Sequence, residues 1–369
     1  MSTGTKMIRG YNWPTLIFFT IMMSGALIGT PWYLYRFGIS LPEIFLTLFF
    51  IVATGMGITV GYHRYYAHTT FKTNRVVEFL ILFFGSAAFE QSALTWSSGH
   101  RDHHRYVDTD LDPYSIKKGF WYAHIGWMTL WKQVPDYRNA KDILKNKMVM
   151  HQHYNYPLWG LVSGIVFPVL LGALIGHALG GLILAVFFRI TFVYHATFCI
   201  NSVCHFFGKA TYDIHSTAKD HWFVAILTNG EGYHNFHHRF PTDYRNGIRW
   251  YHWDPSKWVI SVLKRIGLAW ELKRVSEFTI LEAKIAAENQ LVCERFMAIP
   301  DPQRFHPIKE ALQVRYTLLT QKLAAWEEAT HEKIEQTRRE FLNARREWKI
   351  LTRAWMREPV YAYAGSYSK

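Results

Sequence analysis

Histidine, the commonest protein ligand of transition metals, falls into three dense clusters in this sequence. The first cluster has the spacing H-x4-H, and the other two are H-x-x-H-H repeats. Repeats of this density indicate metal binding rather than a set of unrelated structural residues. The clustered residues are His63 and His68, then His100, His103 and His104, and then His234, His237 and His238.

The spacing inside each cluster predicts how the rings are shared between metals. On a helix that turns about 100° per residue, the later histidines of H-x-x-H-H lie about 60° to one side and about 40° to the other side of the first. One such cluster can therefore offer imidazoles to two neighbouring metals. His63 and His68 are five residues apart and diverge by about 140° on a regular helix. We expect them to serve different metals or to bracket the pair.

His205 is a further plausible ligand, because it follows an apolar segment in F-C-I-N-S-V-C-H and Asn201 precedes it by one helical turn on the same face. A structural zinc ion needs only four ligands, so nine histidines imply two metals with open coordination positions. Imidazole suits zinc, copper, iron and nickel. Ligating histidines usually donate their other ring N–H to a carboxylate or carbonyl, and the acids beside the clusters are Asp102, Asp108, Asp110, Asp112, Asp220 and Glu231.

Four apolar segments are each close to the roughly 20 residues that a helix needs to cross a bilayer. They cover about residues 13–33, 41–62, 157–175 and 179–200 and form two hairpins. Basic residues crowd the segment 64–147 and recur after Lys209, whereas the hairpin turns are nearly bare of them. The positive-inside rule therefore places both termini and the middle segment in the cytoplasm. The predicted fold is an all-α integral membrane protein with four transmembrane helices and a cytoplasmic helical cap that carries the dimetal site.

Two further segments have mixed character. Residues 76–94 are apolar but are interrupted by Glu78, Glu90 and Gln91, which predicts a re-entrant or interfacial helix, with a helix buried beneath the metal site as the alternative. Residues 253–270 mix tryptophan with lysine and arginine, as expected of a helix in the headgroup region.

Two domains are expected. Residues 1–280 form the membrane domain, with the cap at 63–156 and 201–280, and residues 281–369 form a charged helical extension. In that extension an apolar residue recurs every seventh position, at Ile334, Phe341, Trp348 and Trp355. Such a stripe packs on the protein's own cytoplasmic face or forms a coiled-coil contact that makes an oligomer, and periodicity alone allows both.

Charge and cysteine content indicate which binding partners and which cellular compartment suit the protein. The sequence has 41 Lys and Arg against 28 Asp and Glu, a formal net charge of +13. Without a nucleic-acid-binding module, this excess favours anionic lipid headgroups or a phosphate-bearing substrate over nucleic acid. The cysteines are odd in number and lack Cys-x-x-Cys spacing, which indicates a reducing compartment and no thiolate metal site.

The sequence resembles the membrane-bound fatty acyl-CoA desaturases of the stearoyl-CoA (delta-9) type, a histidine-box diiron family. The resemblance covers roughly residues 12–275 and rests on the three histidine clusters, N-S-V-C-H-F-F-G at 201–208, G-E-G-Y-H-N-F-H-H-R-F-P-T-D-Y-R-N-G at 230–247 and D-P-S-K-W at 254–258. It implies that the nine histidines hold two iron ions, with Asn201 reaching one through a water. It also implies O2 as co-substrate and a cis double bond as product, at the delta-9 position, with no catalytic residue beyond the metal site.

The same resemblance implies a substrate path and leaves the acyl carrier open. Lys117 and Lys118 match a basic pair that meets the phosphates of coenzyme A, although a solvated surface pair has the same appearance. Ser98 stands where the family has an arginine, so an acyl carrier protein or a lipid remains an alternative handle to acyl-CoA. The positions associated with the acyl chain are Gln91, Trp96 and Phe198.

Electrons are expected from a separate donor such as ferredoxin, or cytochrome b5 with its reductase, because the sequence has neither His-Pro-Gly-Gly nor a Gly-rich flavin or nicotinamide motif. The lack of a fused donor favours a bacterial inner membrane over the endoplasmic reticulum. Two alternative functions stay open: a membrane diiron hydroxylase of alkyl or lipid substrates, and a non-catalytic metal-binding lipid sensor.

Overall fold

The computed structural model describes residues 5–299 and 305–357, which form two compact units. The first unit comprises the described parts of 1–210 and 216–274, and the second comprises 211–215 with the described parts of 275–369. The helices of the first unit are α1 (Trp13–Phe37), α2 (Leu41–Ala67), α3 (Arg75–Ser86), α4 (Ala93–Tyr106), α5 (Lys147–Tyr154), α6 (Tyr156–Leu174), α7 (Ala178–Phe206), α8 (Trp222–Leu227), α9 (His234–Arg239) and α10 (Pro255–Arg265). Those of the second unit are α11 (Glu277–Met297), α12 (His306–Glu327) and α13 (Ile334–Arg357).

Four helices, α1, α2, α6 and α7, are long and apolar enough to cross a membrane. This confirms the predicted all-α fold with four spans. Three spans run further than the hydropathy pattern indicates, because α1 continues to Phe37, α2 to Ala67 and α7 to Phe206. His63 and His205 therefore lie on the last turns of membrane-spanning helices, which hold both ligand candidates at a defined depth.

A buried carboxylate joins the two hairpin turns. Glu43 closes a capping box at the start of α2, since Ser40 N donates to its Oε2 over 2.8 Å. The Tyr33 hydroxyl from the end of α1 donates to Glu43 Oε1, and His177, between α6 and α7, places Nδ1 3.6 Å from the same oxygen. These contacts hold the two hairpins together at their turns, which lie at the opposite ends of α2 and α7 from the clustered residues His63 and His205.

Arg189 lies inside α7 and is fully buried. Its guanidinium donates to the carbonyl oxygens of Ala185 at 3.0 Å and Gly164 at 2.6 Å, and also to that of Ala87. The charge faces the helix bundle, where carbonyls left over at helix irregularities accept its hydrogens.

The predicted helix over 76–94 is broken in two. Helix α3 ends at Ser86 and α4 begins at Ala93, and Phe89 and Gln91 between them have φ of +59° and +75°. Two left-handed residues cannot continue a helix. The break turns the chain so that Glu90 and Gln91 line a cavity.

Two short antiparallel ribbons link distant segments of the first unit. Strand β1 (Lys6–Arg9) pairs with β3 (Trp131–Val134), and β2 (Lys72–Thr73) pairs with β4 (Ala269–Trp270). Helix α10 precedes β4 and exposes Trp258, Val259 and Val262 while burying Ile260. This amphipathic exposure agrees with an interfacial helix, and its position in a membrane surface stays a prediction. Shorter helical segments cover Ile116–Lys118, Tyr122–Gly126, Trp127–Thr129, Tyr137–Asn139 and Lys141–Leu144.

The second unit has a core of its own. Phe341, Trp348 and Trp355 of α13 are buried against apolar residues of α11 and α12, whereas Ile334, the first member of the heptad stripe, is 37% exposed. The stripe is therefore used inside this unit. The parts of the expected extension at 300–304 and 358–369 lie outside the described residues.

Helix α2 and helix α3 approach each other backbone to backbone. A Cβ on Gly57 of α2 would lie 2.3 Å from the backbone nitrogen of Gly85 and 2.6 Å from the carbonyl carbon of Phe84. Only a residue without a side chain fits there, so the α2–α3 packing depends on this glycine.

We predict that Gly57→Ala lowers the thermal midpoint of the detergent-solubilised protein, measured by loss of the monodisperse peak in size-exclusion chromatography. Overpacking against backbone costs about 1–3 kcal/mol or more. Gly29→Ala is the matched control, since its Cβ would meet only the end of the Ile183 side chain at 3.2 Å. Equal midpoints for the two variants would contradict the prediction.

Candidate metal centre

The fold brings all nine predicted histidines into one place, in two groups that could each hold a metal ion. Within each group, one ring nitrogen from every histidine lies within 4.8 Å of the others. The first group is His63, His68, His100, His104 and His237, and the second is His103, His205, His234 and His238.

In the first group the Nε2 atoms converge. His237 Nε2 lies 2.9 Å from His63 Nε2 and 2.9 Å from His104 Nε2. The Nε2 atoms of His68 and His100 are also 2.9 Å apart. The rings come from α2, the residue after it, α4 and α9, so four segments of the first unit meet here.

The second group has the same pattern. His234 Nε2 lies 3.0 Å from His205 Nε2 and 3.0 Å from His238 Nε2, and His103 Nε2 lies 3.3 Å from His238 Nε2. These rings come from α4, α7 and α9.

The H-x-x-H-H clusters divide between the two groups as helical spacing predicts. In α4 the second histidine, His103, joins the second group while its two cluster neighbours join the first. In α9 the relation is reversed, and His237 alone joins the first group. Helix α4 and helix α9 therefore each contribute histidines to both groups.

The expectation that His63 and His68 serve different metals or bracket the metal pair is wrong in both forms, because the two residues belong to the first group. The chain is a π-helix over Gly57–Ala67, and His68 N donates to His63 O over 3.1 Å, an i→i+5 bond. Five residues then make about one turn instead of the roughly 140° offset of an α-helix. The two rings lie on one side with centroids 4.9 Å apart.

Carboxylates orient two of the rings directly. Glu231 Oε2 lies 2.8 Å from His63 Nδ1, and Asp112 Oδ1 lies 2.9 Å from His103 Nδ1. A carboxylate can only accept, so His103 Nδ1 carries the hydrogen and its Nε2 turns a lone pair inward. The Glu231 carboxylate beside His63 Nδ1 favours the same tautomer for His63.

A third ring is oriented through a hydroxyl. Thr217 Oγ1 donates to Asp108 Oδ1 over 2.6 Å, so it accepts from His205 Nδ1 at 2.7 Å. The remaining acids act elsewhere. Asp220 accepts from the backbone nitrogens at the start of α9, Asp102 accepts from Thr5 N at 2.7 Å, and the side chain of Asp110 is exposed.

Burial keeps the rings neutral. Removal from water, followed by the influence of neighbouring histidines, holds the pKa values of six rings well below the usual range of histidine. These six are His68, His100, His104, His234, His237 and His238. Neutral imidazole is the form that binds metal.

The donor set fits two transition-metal ions. The contacts of His103 and His205 leave their Nε2 atoms without hydrogens, and these atoms lie 3.3 and 3.0 Å from the Nε2 atoms of His238 and His234. Inward lone pairs this close to further ring nitrogens are donors that a shared cation would bind. Imidazole-only donors suit zinc, copper, iron or nickel, so the donor type alone does not select among these metals.

A buried ion-pair network under the first group was not foreseen from the sequence. Arg64 is 1% exposed and donates to Glu231 Oε1 at 2.9 Å and to Asp254 Oδ1 at 2.9 Å. Glu231 thus joins His63 to Arg64, and Asp254 ties both to the start of α10 by accepting from Lys257 N at 3.0 Å. The only indication of this network in the sequence is the location of two of its members: Arg64 directly follows His63, and Asp254 is the first residue of D-P-S-K-W.

A cavity of about 350 Å³ adjoins the histidines. Its lining is largely apolar and includes residues of α2 and α7. Four histidines of the two groups also line it: His63, His100, His103 and His234. Of the residues predicted for substrate and metal, Gln91, Trp96, Phe198 and Asn201 also line it.

Lys117 and Lys118 do not line this cavity. Lys117 Nζ donates to the carbonyl of Asp108 at 2.6 Å, and Lys118 Nζ donates to the carbonyls of Asp110 and Asp112 at 3.1 and 3.3 Å. Both lysines therefore hold the loop whose acids orient His103 and His205.

Glu90 also lines the cavity, although the sequence pattern does not indicate it as a substrate-binding residue. It is 6% exposed and accepts from Trp96 Nε1 and Thr197 Oγ1, both at 3.0 Å. Burial raises its pKa from 4.5 to about 7. Trp96 in turn stacks on His100, with centroids 4.9 Å apart and planes at 21°.

Comparison with known proteins agrees with this geometry. The model of the family "Fatty acid desaturase" matches residues 42–262. The chain belongs to the fatty acid desaturase family. The matched segment contains every histidine of both groups.

Several relatives in the family are similar over most of this chain. Acyl-CoA desaturase 1 of Saccharomyces cerevisiae is 40% identical over 288 residues, 76% of this chain and 55% of that protein. The probable acyl-CoA desaturase of Schizosaccharomyces pombe is 40% identical over 258 residues, 69% of this chain and 54% of that protein. The sn-1 stearoyl-lipid 9-desaturase of Anabaena variabilis is 34% identical over 281 residues, 74% of this chain and 98% of that protein. The chain thus spans about half the length of the two yeast relatives.

We predict that Asp112→Asn weakens metal binding at the second group by about 10–100-fold, because the charged acceptor of His103 is lost. Metal per protein, measured by plasma mass spectrometry after dialysis against graded chelator, should fall toward one ion while the first group stays loaded. Asp110→Asn is the matched control, since its side chain is exposed. Equal retention by both variants would show that the carboxylate at Asp112 does not support a metal ligand.

We predict that the stability difference between the protein and its Glu90→Gln variant depends on pH. The folded protein binds a proton on Glu90 up to about pH 7, whereas the unfolded chain releases it near 4.5. The free energy of unfolding therefore falls as pH rises through this window, by roughly 3 kcal/mol at most, and the glutamine variant lacks this fall. Thermal midpoints at about pH 5 and about pH 8 test this, and a constant difference would refute it.

Proposed function

We propose that the protein introduces a cis double bond into a saturated fatty acyl chain at a pair of iron ions, using O2 and two electrons from a separate donor. One observation carries the proposal: histidines of both groups open directly onto an apolar cavity, through His63, His100, His103 and His234. A metal site beside a space for hydrocarbon is what the family membership leads us to expect of a desaturase.

The nine histidines would hold the two ions, with Asn201 reaching one of them through a water. A methylene group has no acidic proton, so acid and base side chains cannot begin the reaction. Bound iron would supply oxygen activation and hydrogen removal, which is chemistry that the side chains of this chain lack. The overall balance joins one O2, two electrons and two protons with the two hydrogens of the chain, to give the double bond and two waters.

The residues of this chain would position and shield the hydrocarbon. Trp96 is held between Glu90 and His100, so it presents a fixed aromatic wall beside the first group. Phe198 is buried against Phe19 and Tyr194 and forms part of the cavity lining. Rigid walls restrict which methylene groups meet the metal site, and a dry cavity keeps water from competing.

We propose acyl-CoA as the substrate, on the strength of the relatives whose names include acyl-CoA desaturase. We propose the delta-9 position for the double bond, on the strength of the relative named a stearoyl-lipid 9-desaturase. Lys117 and Lys118 would meet the phosphates, since the loop carbonyls take only part of their three-hydrogen donor capacity. The name of the Anabaena variabilis relative, a stearoyl-lipid desaturase, makes a lipid-linked acyl chain the competing substrate.

The four spans lead to a proposal for the orientation of the protein in the membrane. Residues 1–280 would form the desaturase domain in the membrane, with both termini and the metal centre on the cytoplasmic side, and 281–369 a helical extension. The basic surface would receive an acidic ferredoxin or cytochrome b5. We place the protein in a bacterial inner membrane.

We predict that cells expressing the intact protein with an electron donor gain monounsaturated fatty acids, and that cells expressing His237→Ala gain none. Gas chromatography with mass spectrometry, including double-bond location, measures product and position together. His331→Ala, an exposed histidine of the second unit, is the matched control and should retain activity.

Two other outcomes would replace the proposal. Addition of one oxygen without loss of two hydrogens would identify a hydroxylase. An unchanged lipid profile, from protein shown to contain both metals and supplied with a donor, would identify a non-catalytic metal-binding protein.

A further inference from the structure

The outer face of α13 carries a line of exposed arginines. They recur at intervals of seven, seven and four residues and lie within about 40° of one another around the helix axis. Over 18 residues, the line is about 27 Å long. Its members are Arg339, Arg346, Arg353 and Arg357.

Local acids do not neutralise this line. The three acidic residues of α13 bind other bases: Glu335 approaches Arg338 at 3.8 Å, Glu340 Oε2 lies 2.6 Å from Lys322 Nζ, and Glu347 Oε2 lies 2.5 Å from Arg315 Nη1. Among the ion pairs of residues 5–299 and 305–357, none involves an arginine of the line. Within residues 5–299 and 305–357, four positive charges therefore stand without an ion-pair partner along one edge.

The core of the second unit fixes the direction of this edge. Phe341, Trp348 and Trp355, on the other side of α13, are buried, so the helix cannot roll without exposing them. Ile350 and Leu342 flank the arginines and are 59% and 47% exposed. A straight basic edge interleaved with aliphatic side chains is the pattern of a helix that lies on a charged bilayer surface.

We propose that the arginine line of α13 binds the phosphate headgroups of anionic phospholipids and docks the second unit on the membrane. Guanidinium groups bind phosphate oxygens in bidentate fashion, and Ile350 would enter the headgroup boundary. The chain crosses the bilayer four times, so this ligand is always at high local concentration. The inference does not depend on the chemistry at the metal centre.

The geometry favours a lipid surface over two other occupants. A second copy of α13 would oppose arginine with arginine, which is unfavourable. An acidic protein would satisfy the charges, but exposed Ile350 and Leu342 in the same straight edge fit a planar apolar boundary better.

The test uses the full-length protein in lipid nanodiscs. A membrane-sensitive fluorophore is attached at Ala354→Cys, an exposed position of the same face, in a Cys293→Ser background. Dye emission is compared between discs of phosphatidylcholine alone and discs that also contain phosphatidylglycerol, at low and high ionic strength. We expect a rise only with phosphatidylglycerol, reversed by salt.

The double variant Arg346→Gln/Arg353→Gln should reduce the docked-to-undocked ratio at least tenfold, since each arginine near an anionic surface contributes roughly fivefold. Lys309→Gln/Lys333→Gln removes the same charge from other exposed positions of the second unit and should leave the ratio nearly unchanged. Thermal midpoints of both variants check that the fold is intact.

Three results would overturn the proposal. Equal emission in both kinds of disc would show that anionic lipid is not the ligand. A response to added ferredoxin or cytochrome b5, without a response to phosphatidylglycerol, would make the line a protein-docking surface. An equal loss in the lysine variant would show that net charge acts without the arginine line.

Discussion

The close approach of imidazole Nε2 atoms is the constraint on which the rest of the first unit depends. Nine rings turn Nε2 atoms toward one another at about 3 Å, which is unfavourable without a cation and easily lost to side-chain rotation. Neighbouring side chains restrain the rotation of three of these rings: Glu231 orients His63, Asp112 orients His103, and Thr217 orients His205. Burial lowers the pKa of six of these rings, which favours the neutral form that binds metal over the protonated form.

That constraint explains where polar groups are buried in a largely apolar bundle. Arg64, with Glu231 and Asp254, forms a charged network with the geometry needed to hold a ligand ring in a dry interior. Such a network is a weak source of net stability but a strong source of fixed orientation. Lys117 and Lys118 play a similar part at the surface, because they hold the loop that carries Asp108 and Asp112.

The two units divide the work of the chain differently. The first joins membrane spans to the metal centre through the last turns of α2 and α7, so ligand height is set by the helices that cross the bilayer. The second uses its aromatic heptad to build a small core, which leaves the opposite face of α13 free to carry charge. One face of α13 packs in the core of the second unit, and the opposite face carries the arginine line. We therefore interpret α13 as a helix that binds a partner surface rather than as a spacer.

The sequence by itself determined which nine histidines come together, the number of apolar spans and the division of each H-x-x-H-H cluster, because these follow from residue type, length and helical phase. Only the tertiary structure decided that His63 and His68 share one group, since a π-helix changes the phase without a mark in the residue pattern. It also decided the Arg64–Glu231–Asp254 network, the approach of Glu90 to the cavity and the burial of Trp348. Each of these depends on contacts between residues far apart in the chain, and local periodicity contains no information about such contacts.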